Sequence, residues 1–150
     1  MTYTELQNEI VKSYRIKLDP NSTCRLRTHA HHKERRICKW IPEDTIRSTF
    51  TLLHEVGHVE TFKTSMRRSE SEWYATVWAI DRCKEYGLEI PDSILHIYQR
   101  YIILELYRGL RRHGKGYGEM NIYKYAGVNK SAKELKDEFP WAAWALNGWE

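Results

Sequence analysis

Two histidines four residues apart, with a glutamate directly after the first, constrain this chain more than any other feature: His54-Glu55-Val56-Gly57-His58. On an α-helix, residues i and i+4 stand one turn apart on the same face, so both imidazoles can reach one cation. The flanking sequence reads as a helix. Ile46, Phe50, Leu53 and Gly57 fall on one stripe, and Pro42-Glu43-Asp44-Thr45 opens the segment with acidic residues that the helix dipole favours; the helix is expected to run to about Lys63. The seven His and fifteen Glu among 150 residues would produce the five-residue pattern by chance about 0.03 times. The bland alternative is two histidines and a glutamate on a solvated helix face.

Neutral imidazole nitrogens suit zinc, and a catalytic zinc keeps three protein ligands and one open position for water. Glu55 sits beside the histidine face, where it can act as general base on that water. A third ligand has to come from a neighbouring element, and Glu72 is the candidate. A tight loop after the first helix leads into a return helix on which Glu72, Thr76, Ala79 and Cys83 share a face, with Ala75 beside them. Apart from the glutamate these side chains are small, so two helix backbones can approach closely, helped by Gly57. Two alternatives stay open. Ser69-x-x-Glu72 is also a capping box, in which Glu72 would bond only the backbone of Ser69, and Glu70 is a rival ligand.

His54-Glu55-Val56-Gly57-His58 followed by Glu72-Trp73-Tyr74-Ala75 resembles the HExxH…ExxA pattern of the ImmA/IrrE-type zinc metallopeptidases, within the gluzincin group, and is similar to the compact versions in phage and mobile-element proteins. The resemblance covers residues 40–90. It implies a mostly helical, zincin-like α+β fold, with His54, His58 and Glu72 as zinc ligands and Glu55 as general base. It also implies an edge strand before the active helix that holds an extended substrate; Ile37–Ile41 would be that strand. Lys39 and Trp40 on it, with Tyr74 beside the third ligand, are then the candidate substrate-binding residues. The chain departs from the family in a shorter interval between His58 and Glu72 and in Thr76, where an Asn or Asp usually follows the alanine. Both departures bear on substrate choice more than on metal binding.

Around this motif the chain reads as one domain, with a core over residues 1–113 and an extension over 114–150. Tyr3, Leu6, Ile10, Val11 and Tyr14 make one face of an N-terminal helix, which Asp19-Pro20-Asn21-Ser22 is expected to stop. Residues 24–29 alternate as a half-exposed strand, His31–Arg35 make a polar turn, and Ile37–Ile41 return, giving a small antiparallel hairpin beside the active helix. A third long helix begins at Pro91-Asp92, carries Ile94, Leu95, Tyr98, Ile102 and Leu106 on its apolar face, and ends near His113-Gly114. A short strand at Ile122–Tyr125 and a capped helix from Ser131 follow.

Composition excludes several classes. With 41% hydrophobic and 29% charged residues the chain is an ordinary globular one. No apolar stretch approaches the roughly 20 residues of a membrane span, the N-terminus lacks the features of a secretory signal, and three cysteines without a CxxC pair point to reduced thiols in the cytoplasm. A net charge of +4 tolerates anionic partners without demanding them. Arg108, Arg111, Arg112, Lys115 and Tyr117 form a basic patch that gives nucleic acid weak support as a partner. The loop Gly114-Lys115-Gly116-Tyr117-Gly118 lacks the strand and helix of a phosphate loop. Trp141, Trp144 and Trp149 are expected to dock on the core. His29, His31 and His32 with Cys24 and Cys38 match no standard zinc spacing, so a solvated hairpin is expected there. His96, His113 and Tyr74 are candidates for the oxyanion donor. The expected activity is a zinc-dependent endopeptidase that cleaves a peptide bond in a specific regulatory protein. The alternative is a non-catalytic, zinc-stabilised module that binds a host protein or nucleic acid through its basic or Trp-rich surface.

Overall fold

Four helices and three short strands follow one another along the chain in the computed structural model, which describes residues 1–22, 28–64, 66 and 68–113, and only the backbone of residues 106, 107 and 109–113. They are α1 (Tyr3–Ser13), β1 (Lys17–Asp19), β2 (His29–His31), β3 (Arg36–Cys38), α2 (Ile46–Thr61), α3 (Arg68–Glu85) and α4 (Asp92–His113). The class is α+β and mostly helical, as expected. The segments singled out beyond residue 113, namely the glycine loop, the short strand, the capped helix and the tryptophan tail, lie outside the described residues, as does Cys24.

Helix α1 starts with a capping box: the Thr2 hydroxyl accepts from Glu5 N (3.1 Å) and a Glu5 carboxylate oxygen accepts from Thr2 N (2.7 Å). It ends earlier than the Asp19–Ser22 turn. Arg15 takes a positive φ of 52°, and Ile16 N and Arg15 N donate to the carbonyls of Val11 (3.0 Å) and Lys12 (3.3 Å). This is a Schellman ending built on arginine instead of glycine. The residues freed by that early stop form β1, a strand the sequence pattern does not announce.

The sheet contains the expected antiparallel hairpin, β2 with β3, and extends it by one strand. Its order is β1-β3-β2, with β1 parallel and β2 antiparallel to β3. The sheet is therefore mixed, and β2 covers His29–His31, from the end of the expected strand to the start of the expected turn. Parallel pairing of β1 with β3 is a long-range contact, and three-residue strands are too short for alternation to show it. Ile37 at the centre is fully buried.

Contacts divide the chain into two compact units. The first comprises residues 1–64 and 74–91; in it α1 and β2 pack on α2. Its core includes Ile10, Ile37, Phe50, Leu52, Leu53, Val56, Ala75 and Ala79, all sealed from solvent. The second includes the start of α3 and, among the described residues, α4. There Ile94, Tyr98 and Ile102 are buried along one face of α4, Ile103 is buried beside that face, and Glu105 pairs with Arg68 (3.5 Å) and Arg108 (2.8 Å). Helix α3 is unbroken across the boundary and ends in a second Schellman motif. Gly87 has φ 70°, with Leu88 N to Cys83 O at 2.8 Å and Gly87 N to Lys84 O at 3.1 Å.

Candidate metal centre

The entry into α2 is fixed by side chains that satisfy otherwise orphaned backbone groups. Thr45, not Pro42, caps the helix: its hydroxyl accepts from Ser48 N at 3.1 Å. The first turn consequently carries no acidic residue. Asp44 instead accepts from Thr4 N at 3.0 Å, placing its charge at the N-terminus of α1. Ser48 Oγ donates to the Ile41 carbonyl (2.8 Å) and accepts from Glu43 N (3.1 Å). Buried Gln7 on α1 donates through Nε2 to the Glu43 carbonyl (2.7 Å) and to Thr49 Oγ1 (2.9 Å). At the other end Arg35, with φ 51°, donates to the Tyr14 carbonyl (2.7 and 3.1 Å) and forms an ion pair with Glu60 in the last turn of α2. Helix α2 is thus held at both ends to α1 and the sheet. Neither Gln7 nor Arg35 carries a local sequence signal.

Along α2, His54 and His58 lie one turn apart with ring centroids 4.7 Å apart in an edge arrangement. His54 is buried and His58 half-buried. Glu55 is also buried, and one of its oxygens lies 3.7 Å from His54 Nδ1. Gly57 faces the backbone of α3: a Cβ there would sit 2.7 Å from the Ala75 carbonyl oxygen and 3.0 Å from its Cα. The small-residue face of α3 is the one packed inward, with Ala75, Thr76, Ala79 and Cys83 all buried.

Glu72 stands one turn before Ala75 on α3. The capping-box alternative fails, because the helix already begins at Arg68 and buried Ser69 Oγ has no hydrogen-bond partner. One ligand atom each from His54, His58 and Glu72 lies within 4.8 Å of the others. Glu70 is in no such group among the described residues. Two imidazoles and a carboxylate are a donor set that fits zinc.

The candidate substrate-binding residues fare differently. Among the described residues β3 is the central strand, so it has no free edge to offer an extended peptide. Trp40 is buried and its indole N–H donates to the Ser48 carbonyl at 3.0 Å, which makes it part of the α2 entry. Lys39 takes a positive φ of 59° as the chain leaves the sheet, and its N–H donates to the Asp19 carbonyl at 3.0 Å. With β3 paired on both sides, neither Lys39 nor Trp40 follows an open strand edge. Tyr74 is half-buried, with the Lys63 ammonium 5.8 Å from its ring centroid. His96 is exposed on α4, and the side chain of His113 is outside the described set.

A second group gathers elsewhere: ligand atoms of His29, His31 and Cys38 also lie within 4.8 Å of one another. His32 is not among them and stacks on Phe62 at 3.4 Å between centroids. No helix among the described residues is long and apolar enough to cross a membrane. Compared with protein-family models, curated proteins and solved structures, the chain matches none of them.

Proposed function

We propose that the chain is a zinc-dependent endopeptidase of the ImmA/IrrE type, acting in the cytoplasm on a peptide bond of a specific regulatory protein. The observation that carries this reading is the convergence of His54, His58 and Glu72 within 4.8 Å, with the carboxylate of Glu55 alongside His54. A structural zinc site has no use for a fourth, non-ligating acid next to its ligands, whereas hydrolysis requires a base there. The buried, unbridged thiols of Cys38 and Cys83 accord with a reducing compartment.

His54, His58 and Glu72 would hold the ion. When bound, zinc supplies a Lewis acid that polarises the scissile carbonyl and acidifies water toward a pKa of about 7. Glu55 then does the proton work: it accepts the proton of the attacking water and delivers it to the leaving amine nitrogen as the C–N bond breaks. Burial of Glu55 keeps its oxygens out of bulk water, where a proton would be lost to solvent.

The test uses Glu55→Gln and Glu72→Ala in the full chain, incubated with a peptide library and read by mass spectrometry, with zinc measured in parallel. Glu55→Gln is expected to keep stoichiometric zinc and to lose about 100-fold or more of the cleavage rate. Glu72→Ala is expected to bind zinc far more weakly at the His54–His58 centre and so to hold one ion fewer than wild type. Undiminished cleavage by Glu55→Gln, or full zinc affinity in Glu72→Ala, would overturn the reading. A biological effect that survives Glu55→Gln would leave the zinc-stabilised binding module in its place.

A further inference from the structure

We propose a second metal site, independent of the first, in which His29 and His31 of β2 and Cys38 of β3 bind a zinc-like ion. In the antiparallel pairing His29 lies opposite Cys38 and His31 opposite Arg36. Strand alternation therefore puts His29, His31 and Cys38 on one face of the sheet, and Ala30 and Ile37 on the other. The two imidazoles meet through the same ring atom, with His29 Nε2 and His31 Nε2 3.1 Å apart. At this spacing either one neutral imidazole donates its Nε2–H to the bare Nε2 of the other, or two bare nitrogens face a common cation. In a tetrahedral zinc site with Zn–N of about 2.0–2.1 Å, two ligand nitrogens stand about 3.3 Å apart. The observed spacing is within a few tenths of an ångström of that.

The thiol is the feature that points to a metal. Cys38 is fully buried, and its sulfur is among the three ligand atoms gathered within 4.8 Å. A proton shared by two imidazoles has no use for a third donor, whereas a zinc ion bound by two nitrogens recruits a thiolate at about 2.3 Å. A set of two imidazoles and one thiolate selects zinc and its transition-metal neighbours over magnesium or calcium, which take oxygen ligands. The positive charge on the same face, Arg36, is engaged by Glu34 at 2.9 Å and Asp19 at 3.8 Å. The consequence is structural. Strand β2 is three residues long and packs on α2, the helix that carries His54 and His58. A metal bridging it to buried β3 would pin that short strand.

Cobalt(II) titration of the full chain, followed by absorption, separates this site from the first, because only this one contains sulfur. Wild type is expected to show a thiolate-to-cobalt charge-transfer band that survives in the His54→Ala/His58→Ala double variant and in Cys83→Ala. The band is expected to vanish in Cys38→Ser. In His31→Asn, which leaves the buried thiol and the core intact, cobalt binding at this site is expected to weaken about 100-fold or more, since even outer-shell losses cost about 10–100-fold. A wild-type protein without the band, or a band undiminished in His31→Asn, would show that the two imidazoles share a proton only. One bound cobalt with the band present would uphold this site while removing the His54–His58–Glu72 centre.

Discussion

At Gly57 the absence of a single methyl group sets how close Ala75 of α3 can come to α2. Any side chain there meets backbone, not a flexible side-chain tip, at 2.7 Å, so the helices must separate to admit it. Gly57→Ala is expected to cost about 1–3 kcal/mol in denaturant unfolding, the usual range for an overpacked contact, and to weaken zinc binding in the same protein. A variant of wild-type stability would show that the two backbones are not in contact. A little further along the same face of α3, burial pushes the Cys83 thiol up to about 11 from its usual 9.0. The native chain holds that proton more tightly than the unfolded one, so the contribution to stability is complete below about pH 9 and is lost as the pH rises toward 11. Subtracting the pH–stability curve of Cys83→Ala from that of wild type is expected to isolate this loss; identical slopes between pH 9 and 11 would refute it.

At the scale of elements, the helices end in ways that their sequences disclose unequally. Helix α3 stops at Gly87, where a positive φ carries no steric cost. Helix α1 makes the same turn at Arg15, an exposed residue forced into the left-handed region. Arg15→Gly is therefore expected to raise stability by about 0.5–1 kcal/mol in chemical denaturation, relief of the Cβ strain outweighing the added freedom of the unfolded chain. A loss of stability would mean that the arginine side chain contributes something the cap geometry does not reveal. Arg35 shows how elements distant in sequence share a single cation. Its guanidinium closes the C-terminus of α1 at Tyr14 and pairs with Glu60 on α2, two residues after His58. A lysine at this position would lack the planar fork that makes two of these contacts at once.

For the whole molecule, a metal bound only by the folded chain is a source of stability by mass action, about 2.7 kcal/mol at a free concentration 100 times the dissociation constant. Chelation of the zinc-loaded protein is accordingly expected to lower its melting temperature, and the drop is expected to shrink in a His54→Ala/His58→Ala double variant. An unchanged melting temperature on chelation would indicate that folding and metal binding are uncoupled. The mild positive charge of the chain adds little to this account, since a net charge of +4 speaks to solubility and steering and not to which ion is held.

Residues within one turn of each other settled the largest part of what can be said. The spacing of His54 and His58, the small residues after Glu72, the apolar periods of α1 and α4, and Gly87 are all local patterns. A helix expresses local patterns because each of its hydrogen bonds spans only four residues. The pairing of β1, the mixed sheet with β3 at its centre and the reach of Gln7 and Arg35 depend on partners 19 to 42 residues apart, as in Lys17 with Arg36, Arg35 with Tyr14 and Gln7 with Thr49. The same holds for the meeting of His29, His31 and Cys38, where a register between two three-residue strands brings the donors together. Strands that short carry too few residues for alternation to specify a partner, so their register rests on the burial of Ile37 in the core.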